Sequence, residues 1–238
     1  MAIEVNSDDI LFLDIETAPA VSSHAEMTDQ MKELWEKKAK GLKRDDETPE
    51  ELFERAGLYA EFGKVVCISA GYHSGSRFRV KSVYGDDEKQ LLGEFASMAS
   101  RWSSRKDPWL CGHNIREFDI PYIARRILIN GMRVPDLLNN AGKKPWEVKV
   151  LDTMELWRFG DYRSYASLAL LSEILGIPAP KDDIDGSMVG RIYWEDRDIE
   201  RIARYCEKDV VAVARLFARI TGREMVSDDD IESITAFR

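Results

Sequence analysis

Residues 10–15, Ile-Leu-Phe-Leu-Asp-Ile, are apolar on both alternating faces, the pattern of a central strand buried on two sides. Beyond Pro19 the pattern changes. From about Ala25 to Ala56 the chain is highly charged and helix-favouring, with Met27, Met31, Leu34 and Trp35 at helical spacing. Thr48-Pro49-Glu50-Glu51 then reads as a capping box with proline at the first helical position. A two-helix insertion over about 22–62 is therefore expected between the first and second strands. Its apolar stripe predicts a surface subdomain packed on the core, with a lid over a substrate as the alternative.

The β-rich runs 64–72 and 77–85 flank the turn His73-Ser74-Gly75-Ser76 and predict an antiparallel hairpin. A helix at about 87–103 follows, then a buried strand at 108–112. A second helix starts near Ile120 and stops at Asn130-Gly131, and a fifth strand runs over 147–152. Helices are expected at about 153–158, at 163–175 before Gly176 and Pro178, at 187–193 and at 195–220. The last dozen residues, including Asp228-Asp229-Asp230, are expected to fray. The result is an α/β or mixed α+β layer architecture: a five-stranded sheet whose first three strands form an antiparallel meander, flanked by helices in one domain spanning 1–238.

Composition narrows the function. With 238 residues and 44% hydrophobic content, the chain can bury one sizeable core. No apolar run approaches about 20 residues and no basic-then-apolar segment opens the chain, so neither a membrane span nor a secretory signal is expected, and the location expected is cytoplasmic. Cys67, Cys111 and Cys206 are far apart in apolar surroundings and read as reduced core thiols. A net charge of −9 argues against a protein that coats nucleic acid through many phosphate contacts. An enzyme that grips a few nucleotides stays open.

The candidate chemistry lies in acidic residues placed where the pattern calls for apolar ones. On a strand, Asp14 and Glu16 project from the same face roughly 7 Å apart. Unpaired charge so near a core is costly, and a hard divalent cation held by oxygen ligands compensates it. A second contribution comes from the 195–220 helix. Asp209 sits at the edge of its apolar stripe, with Tyr205 one turn earlier on the same face. The third stretch is Leu110–Arg126, where a strand ends at Gly112, a His113-Asn114 corner follows and Asp119 stands at a helix start. Asp119 suits an N-cap as well as a ligand.

In order, these stretches resemble the three motifs of the DEDDy branch of the DnaQ-like 3′-to-5′ exonucleases, which have the ribonuclease H-like fold. The first matches as Asp14-Ile15-Glu16 followed by Thr17, the second as His113 to Asp119, and the third, Tyr-x-x-x-Asp, as Tyr205 to Asp209. "GIPAPKDDIDGSMV" and "YCEKDVVAVARLF" look most like stand-alone exonucleases related to the proofreading domain of family-B DNA polymerases. The insertion departs from the minimal pattern.

The resemblance implies a metal-dependent exonuclease that releases nucleoside 5′-monophosphates from the 3′ end of single-stranded DNA. It also implies two divalent cations, Mg²⁺ or Mn²⁺, about 3.5–4 Å apart. In that scheme Asp14 bridges both ions, Glu16 and Asp209 complete one, and Asp119 holds the other. Tyr205 orients the attacking water, because a phenol near its reference pKa of about 10 is a poor base at neutral pH. An exoribonuclease, or a non-catalytic nucleic-acid-binding module on the same fold, remains open.

Among supporting residues, Phe118 and the backbone at Thr17 are candidates to hold the last nucleotide, and Asn114 to bond its sugar or phosphate. The Phe118 ring equally suits core packing. His113 reads as a structural corner, because hard cations prefer oxygen, and Asp152, heading Asp-Thr-Met-Glu, as a helix cap. Lys181 to Gly186 reads as a loop without the ligand spacing of an EF-hand, in which Lys181 could touch phosphate. Lys143, Lys144 and Trp146 read as a solvated loop.

Overall fold

The structure, a computed structural model, describes residues 4–42, 47–178 and 184–237. In chain order the elements begin with β1 (Ile10–Pro19), α1 (Asp29–Lys40), a 3-10 segment (Glu51–Leu58), β2 (Gly63–Ser74) and β3 (Arg77–Tyr84). There follow α2 (Glu88–Trp102), β4 (Trp109–Gly112), α3 (Asp119–Ile129), β5 (Val150–Asp152), α4 (Thr153–Arg158) and α5 (Leu168–Ile174). The chain continues through α6 (Val189–Arg191), a π turn (Ile192–Asp196), α7 (Ile199–Thr221) and β6 (Ile231–Ser233). The sheet order is β5-β4-β1-β2-β3-β6. The meander β1-β2-β3 is antiparallel, while β4 joins β1, β5 joins β4 and β6 joins β3 in parallel.

Each face of β1 meets a different helical layer. Leu11, Leu13 and Ile15 pack with Leu91, Leu92 and Phe95 of α2 and Ile120, Ile123 and Ile127 of α3. Ile10 and Phe12 pack on the other face with Val210, Val213 and Phe217 of α7. Each fully buried side chain of that stripe contributes roughly 1.5–3 kcal/mol. Gly71 on β2 lets α7 come this near: a Cβ there would lie 2.6 Å from the Phe78 ring and 2.8 Å from Val210. By the alternation of a strand, Asp14 and Glu16 continue the face of Ile10 and Phe12, toward α7.

Several expectations change. The sheet has six strands because residues 231–233, expected to fray, pair with β3. Arg79 bridges Glu232 at 3.0 Å, and the hydroxyls of Ser82, Ser233 and Thr235 all donate to buried Glu207 on α7. The second insertion helix is a 3-10 segment, although Thr48 and Glu51 make the reciprocal capping-box bonds. Its Gly57 carbonyl accepts from Tyr122 of α3 at 2.8 Å, and a Cβ on Gly57 would lie 3.1 Å from the Ala18 backbone. Docking on the sheet thus displaces the helical pattern. Strand β5 is shorter than 147–152 because Pro145 opens a 3-10 turn closed by the Lys144 amide on Glu147. Helix α5 starts at Leu168 rather than at 163, where the Ser167 hydroxyl accepts the Leu170 amide.

The apolar stripe of the insertion makes its own small core: Trp35 and Ala39 pack with Leu52, Phe53, Ala56 and Phe62. The cysteines are free and buried, as expected. Lys181, Asp182 and Asp183 lie outside the described residues. Among the described residues no helix is long and apolar enough to cross a membrane.

Candidate active site

Beyond the last β4 pair, Phe12 with Cys111, strand β1 runs on without a parallel neighbour. Here it carries Asp14, Glu16 and Thr17. The β2 pairing slips between Glu16, opposite Cys67, and Thr17, opposite Val65, leaving Val66 as the extra residue of a bulge. A cavity of about 430 Å³ opens against this stretch, and its walls include Asp14, Glu16, Asp119 and Asp209. Three elements distant in sequence therefore bring four carboxylates to one space.

The contacts among them are specific. The Ile15 amide donates to the Asp119 carboxylate, fastening the start of α3 to β1. The Cys206 thiol of α7 donates to Asp14 Oδ2 at 3.4 Å. One oxygen each of Asp14 and Glu16 and the Cys206 sulfur lie within 4.8 Å of one another. The Tyr205 hydroxyl is hydrogen-bonded to Asp209. Asp119 is the first residue of α3 rather than its cap: the N-cap position is Phe118, without a side-chain cap bond.

Electrostatics follow from this crowding. Asp14 keeps a partly exposed edge on the cavity, yet burial first, then repulsion by Asp209 and Asp119, raises its carboxyl well above the usual aspartate range. Burial, then Asp14 and Asp209, does the same to Glu16. Asp119 is pushed up to about 7, mainly by burial and in part by Asp152, against the two backbone amides that favour its anion. Burial and the neighbouring carboxylates push Tyr205 far upward, so its phenol keeps its proton. For Asp14, Glu16 and Asp119, burial and mutual repulsion outweigh the hydrogen bonds the chain offers their charges.

This donor set fits hard divalent cations. Oxygen ligands from Asp14, Glu16, Asp119 and Asp209 are the type Mg²⁺ and Mn²⁺ prefer, and a positive ion between them would relieve the repulsion that raises their pKa values. The Cys206 sulfur, read from sequence as a plain core thiol, lies against the same carboxylate. Burial pushes this thiol up, so it stays protonated and acts as a donor.

A family model described as a predicted 3′-5′ exonuclease related to the exonuclease domain of PolB matches residues 58–235. The chain belongs to this family. Among solved structures, the chain is similar to the family B DNA polymerase from the hyperthermophilic archaeon Pyrobaculum calidifontis, with a TM-score of 0.54 and 16% identity. The similarity covers 86% of this chain and 24% of the polymerase, so the chain spans about a quarter of that protein's length. It shows the ribonuclease H-like fold expected from the motifs. No curated protein matches the chain as a sequence relative.

The remaining motif residues of this PolB-related exonuclease divide between cavity and scaffold. Thr17, Asn114 and Phe118 line the cavity, and Phe118 also packs on Tyr122, ring centroids 5.4 Å apart. His113 is a corner residue, with Nδ1 2.9 Å from Thr153 Oγ1 and Nε2 2.8 Å from the Ala166 carbonyl, although its edge reaches the cavity. Lys144 lies over the Trp146 ring at 5.3 Å in an exposed loop away from the cavity lining.

Asp152 does more than cap α4. Its carboxylate accepts the amides of Met154 at 3.0 Å, Asn114 at 2.9 Å and Arg116 at 3.1 Å, and so holds the loop between β4 and α3. Asn114 takes a left-handed backbone there, with φ +61°. Sequence spacing could reveal only the bond to Met154.

Two further walls escaped the sequence reading. Arg55 and Leu58 of the 3-10 segment and Gly186, Ser187 and Gly190 before and within α6 line the cavity. The insertion thus packs as a small core and also borders the site. The signal for Arg55 was a basic residue off the apolar stripe, which nothing local ties to Asp14.

Proposed function

We propose that the chain is a metal-dependent 3′-to-5′ exonuclease that removes nucleoside 5′-monophosphates from the 3′ end of single-stranded DNA. The observation that carries this is the convergence of Asp14, Glu16, Asp119 and Asp209 on one cavity, with the Tyr205 hydroxyl bonded to Asp209. The four carboxylates would hold Mg²⁺ or Mn²⁺. Bound divalent cations supply Lewis acidity at the phosphoryl group and acidify a water at neutral pH.

The chain's own groups do the rest. Tyr205, kept protonated, offers a fixed hydroxyl to orient the water that attacks phosphorus. Asp209 accepts from that hydroxyl and sets its direction. Phe118, Thr17 and Asn114 line the cavity; the Phe118 ring and the Thr17 backbone would hold the terminal nucleotide, and Asn114 would bond its sugar or phosphate. The Cys206 thiol, by donating to Asp14, lowers the cost of its charge. A cytoplasmic setting completes the reading, supported by three buried cysteines that stay free thiols.

The test is a ladder experiment with a 5′-labelled single strand, run in DNA and RNA forms with Mg²⁺ or Mn²⁺. Stepwise shortening that EDTA and Asp14→Ala each abolish is expected. Failure on both polymers under several metals would favour a non-catalytic nucleic-acid-binding module.

A further inference from the structure

The loop following α4 concentrates aromatic surface that the core does not use. Phe159 is 74% exposed, Tyr162 83% and Tyr165 67%, three large rings within seven residues. Phe159 also holds a left-handed backbone, φ +44°, with Gly160 immediately after it at φ +92°. A bulky side chain in that region carries strain that glycine avoids. Here the left-handed residue is the C-cap of α4, where glycine or asparagine is usual, and a large ring turned mostly to solvent stands in its place.

The loop is also built and charged. Arg158 Nε donates to the Ser164 carbonyl at 2.9 Å, and its guanidinium stacks 4.3 Å from the Tyr165 ring centroid, closing the loop on itself. Arg163 is exposed and makes no ion pair among the described residues. The one acidic residue, Asp161, turns its carboxylate to the Arg163 amide at 3.1 Å. Two arginines against one aspartate leave the loop net basic, in a chain of net charge −9.

Its position ties it to the carboxylate cavity. His113, on the cavity wall, contacts Thr153 at the start of α4 and the Ala166 carbonyl just past Tyr165. The six residues of α4 extend about 9 Å, close to three nucleotides at about 3.4 Å each.

We infer that Phe159, Tyr162 and Tyr165, with Arg158 and Arg163, form a stacking platform for the single strand upstream of its 3′ terminus. The rings would stack successive bases, which needs no sequence match, and the arginines would meet the phosphates between them. This rests on the exonuclease reading. It goes further in assigning a separate binding surface for nucleotides that are not being cleaved.

The experiment measures KM for single-stranded substrates from 2 to 20 nucleotides, for wild type and for Phe159→Gly, Tyr162→Ser and Arg163→Gln. Phe159→Gly suits the left-handed backbone, so the variant folds. Wild-type KM is expected to fall as length passes about four nucleotides, and each ring variant to raise KM for the 20-mer about tenfold, flattening that dependence. Wild type that cleaves with a length dependence the variants share would overturn the platform alone. A change in self-association by light scattering, with KM unmoved, would overturn it in favour of a contact with a second copy. Wild type that cleaves nothing would instead sink the exonuclease reading, and a direct anisotropy assay with a labelled 20-mer then decides the platform: equal affinity in wild type and variants overturns it.

Discussion

The Ile15 amide donates to the carboxylate of Asp119, so the middle residue of the first motif holds the last residue of the second. Acid groups from β1, α3 and α7 meet because the sheet turns its central strand toward α7 and the start of α3 closes on the free length of β1. The close approach is costly without a cation, and two consequences follow.

The first is a trade of activity against stability. Asp14 and Glu16 are raised by burial and by one another's neighbours, so neutralising either relieves the metal-free fold. Asp14→Asn is expected to abolish nuclease activity while raising the melting temperature in EDTA by a few degrees, about 2–4 °C per kcal/mol at this chain length. Scanning fluorimetry on wild type and variant checks it. A lower melting temperature for the variant would mean that its carboxylate is compensated from within the chain.

The second concerns pH. Asp119 titrates near 7 in the fold and near 4 unfolded. Between these values the native state binds more protons than the unfolded chain, so metal-free stability falls as pH rises from about 4 to 7, by at most about 4 kcal/mol. The exposed carboxyls of Asp107 and Asp185 are shifted downward and titrate below this window. Bound Mn²⁺ needs the ionised carboxylates, so the gain in melting temperature from Mn²⁺ should grow from pH 5.5 to 7.5. A gain that is flat across that range would sink the claim.

Tyr205→Phe separates water positioning from ion holding. The ring stays in its half-buried place on α7, while the hydroxyl bonded to Asp209 is lost. A kcat lower by about 10- to 100-fold, with the Mn²⁺ thermal shift retained, is expected. Loss of the thermal shift as well would make the tyrosine part of the ion site.

Much of this was legible in the letters. The apolar stretch Ile10–Ile15 around Asp14 fixed a buried central strand, and the Tyr205–Asp209 pair on a helical stripe fixed its partner face, because both signals are local and periodic. Residues 231–233 were misjudged because a three-residue strand exists through its pairing with β3 and the hydroxyls gathered on Glu207, none of it adjacent in sequence. Asp152 was half legible for the same reason: its bond to Met154 is local, whereas those to Asn114 and Arg116 cross from β5 to the loop after β4.

That loop gives a further prediction. Asp152→Ala would orphan three amides and release Asn114 from its left-handed backbone, costing about 3 kcal/mol and about 10 °C in melting temperature. Activity should fall beyond the loss of folded protein, since Asp119 stands five residues after Asn114. Asn114→Gly, which adopts the same φ freely, should restore part of the stability in the double variant. No restoration would mean that the backbone conformation is held by other contacts.

Arg55 presents the last case. It lines a cavity whose walls carry Asp14, Glu16, Glu54, Asp119 and Asp209, yet makes no ion pair or hydrogen bond among the described residues. Two roles suit such a cation, and they differ in what salt does. If it grips a substrate phosphate, Arg55→Gln raises KM several-fold and reduces the slope of log KM against log salt by about 1, as one lost phosphate contact requires. If it merely offsets the carboxylates, the same variant tightens the apparent affinity for Mn²⁺ and leaves the salt slope alone. The first outcome is expected, because Arg55 is exposed at the cavity wall beside Leu58, which is itself 53% exposed, and an exposed guanidinium is too well screened to neutralise buried acids.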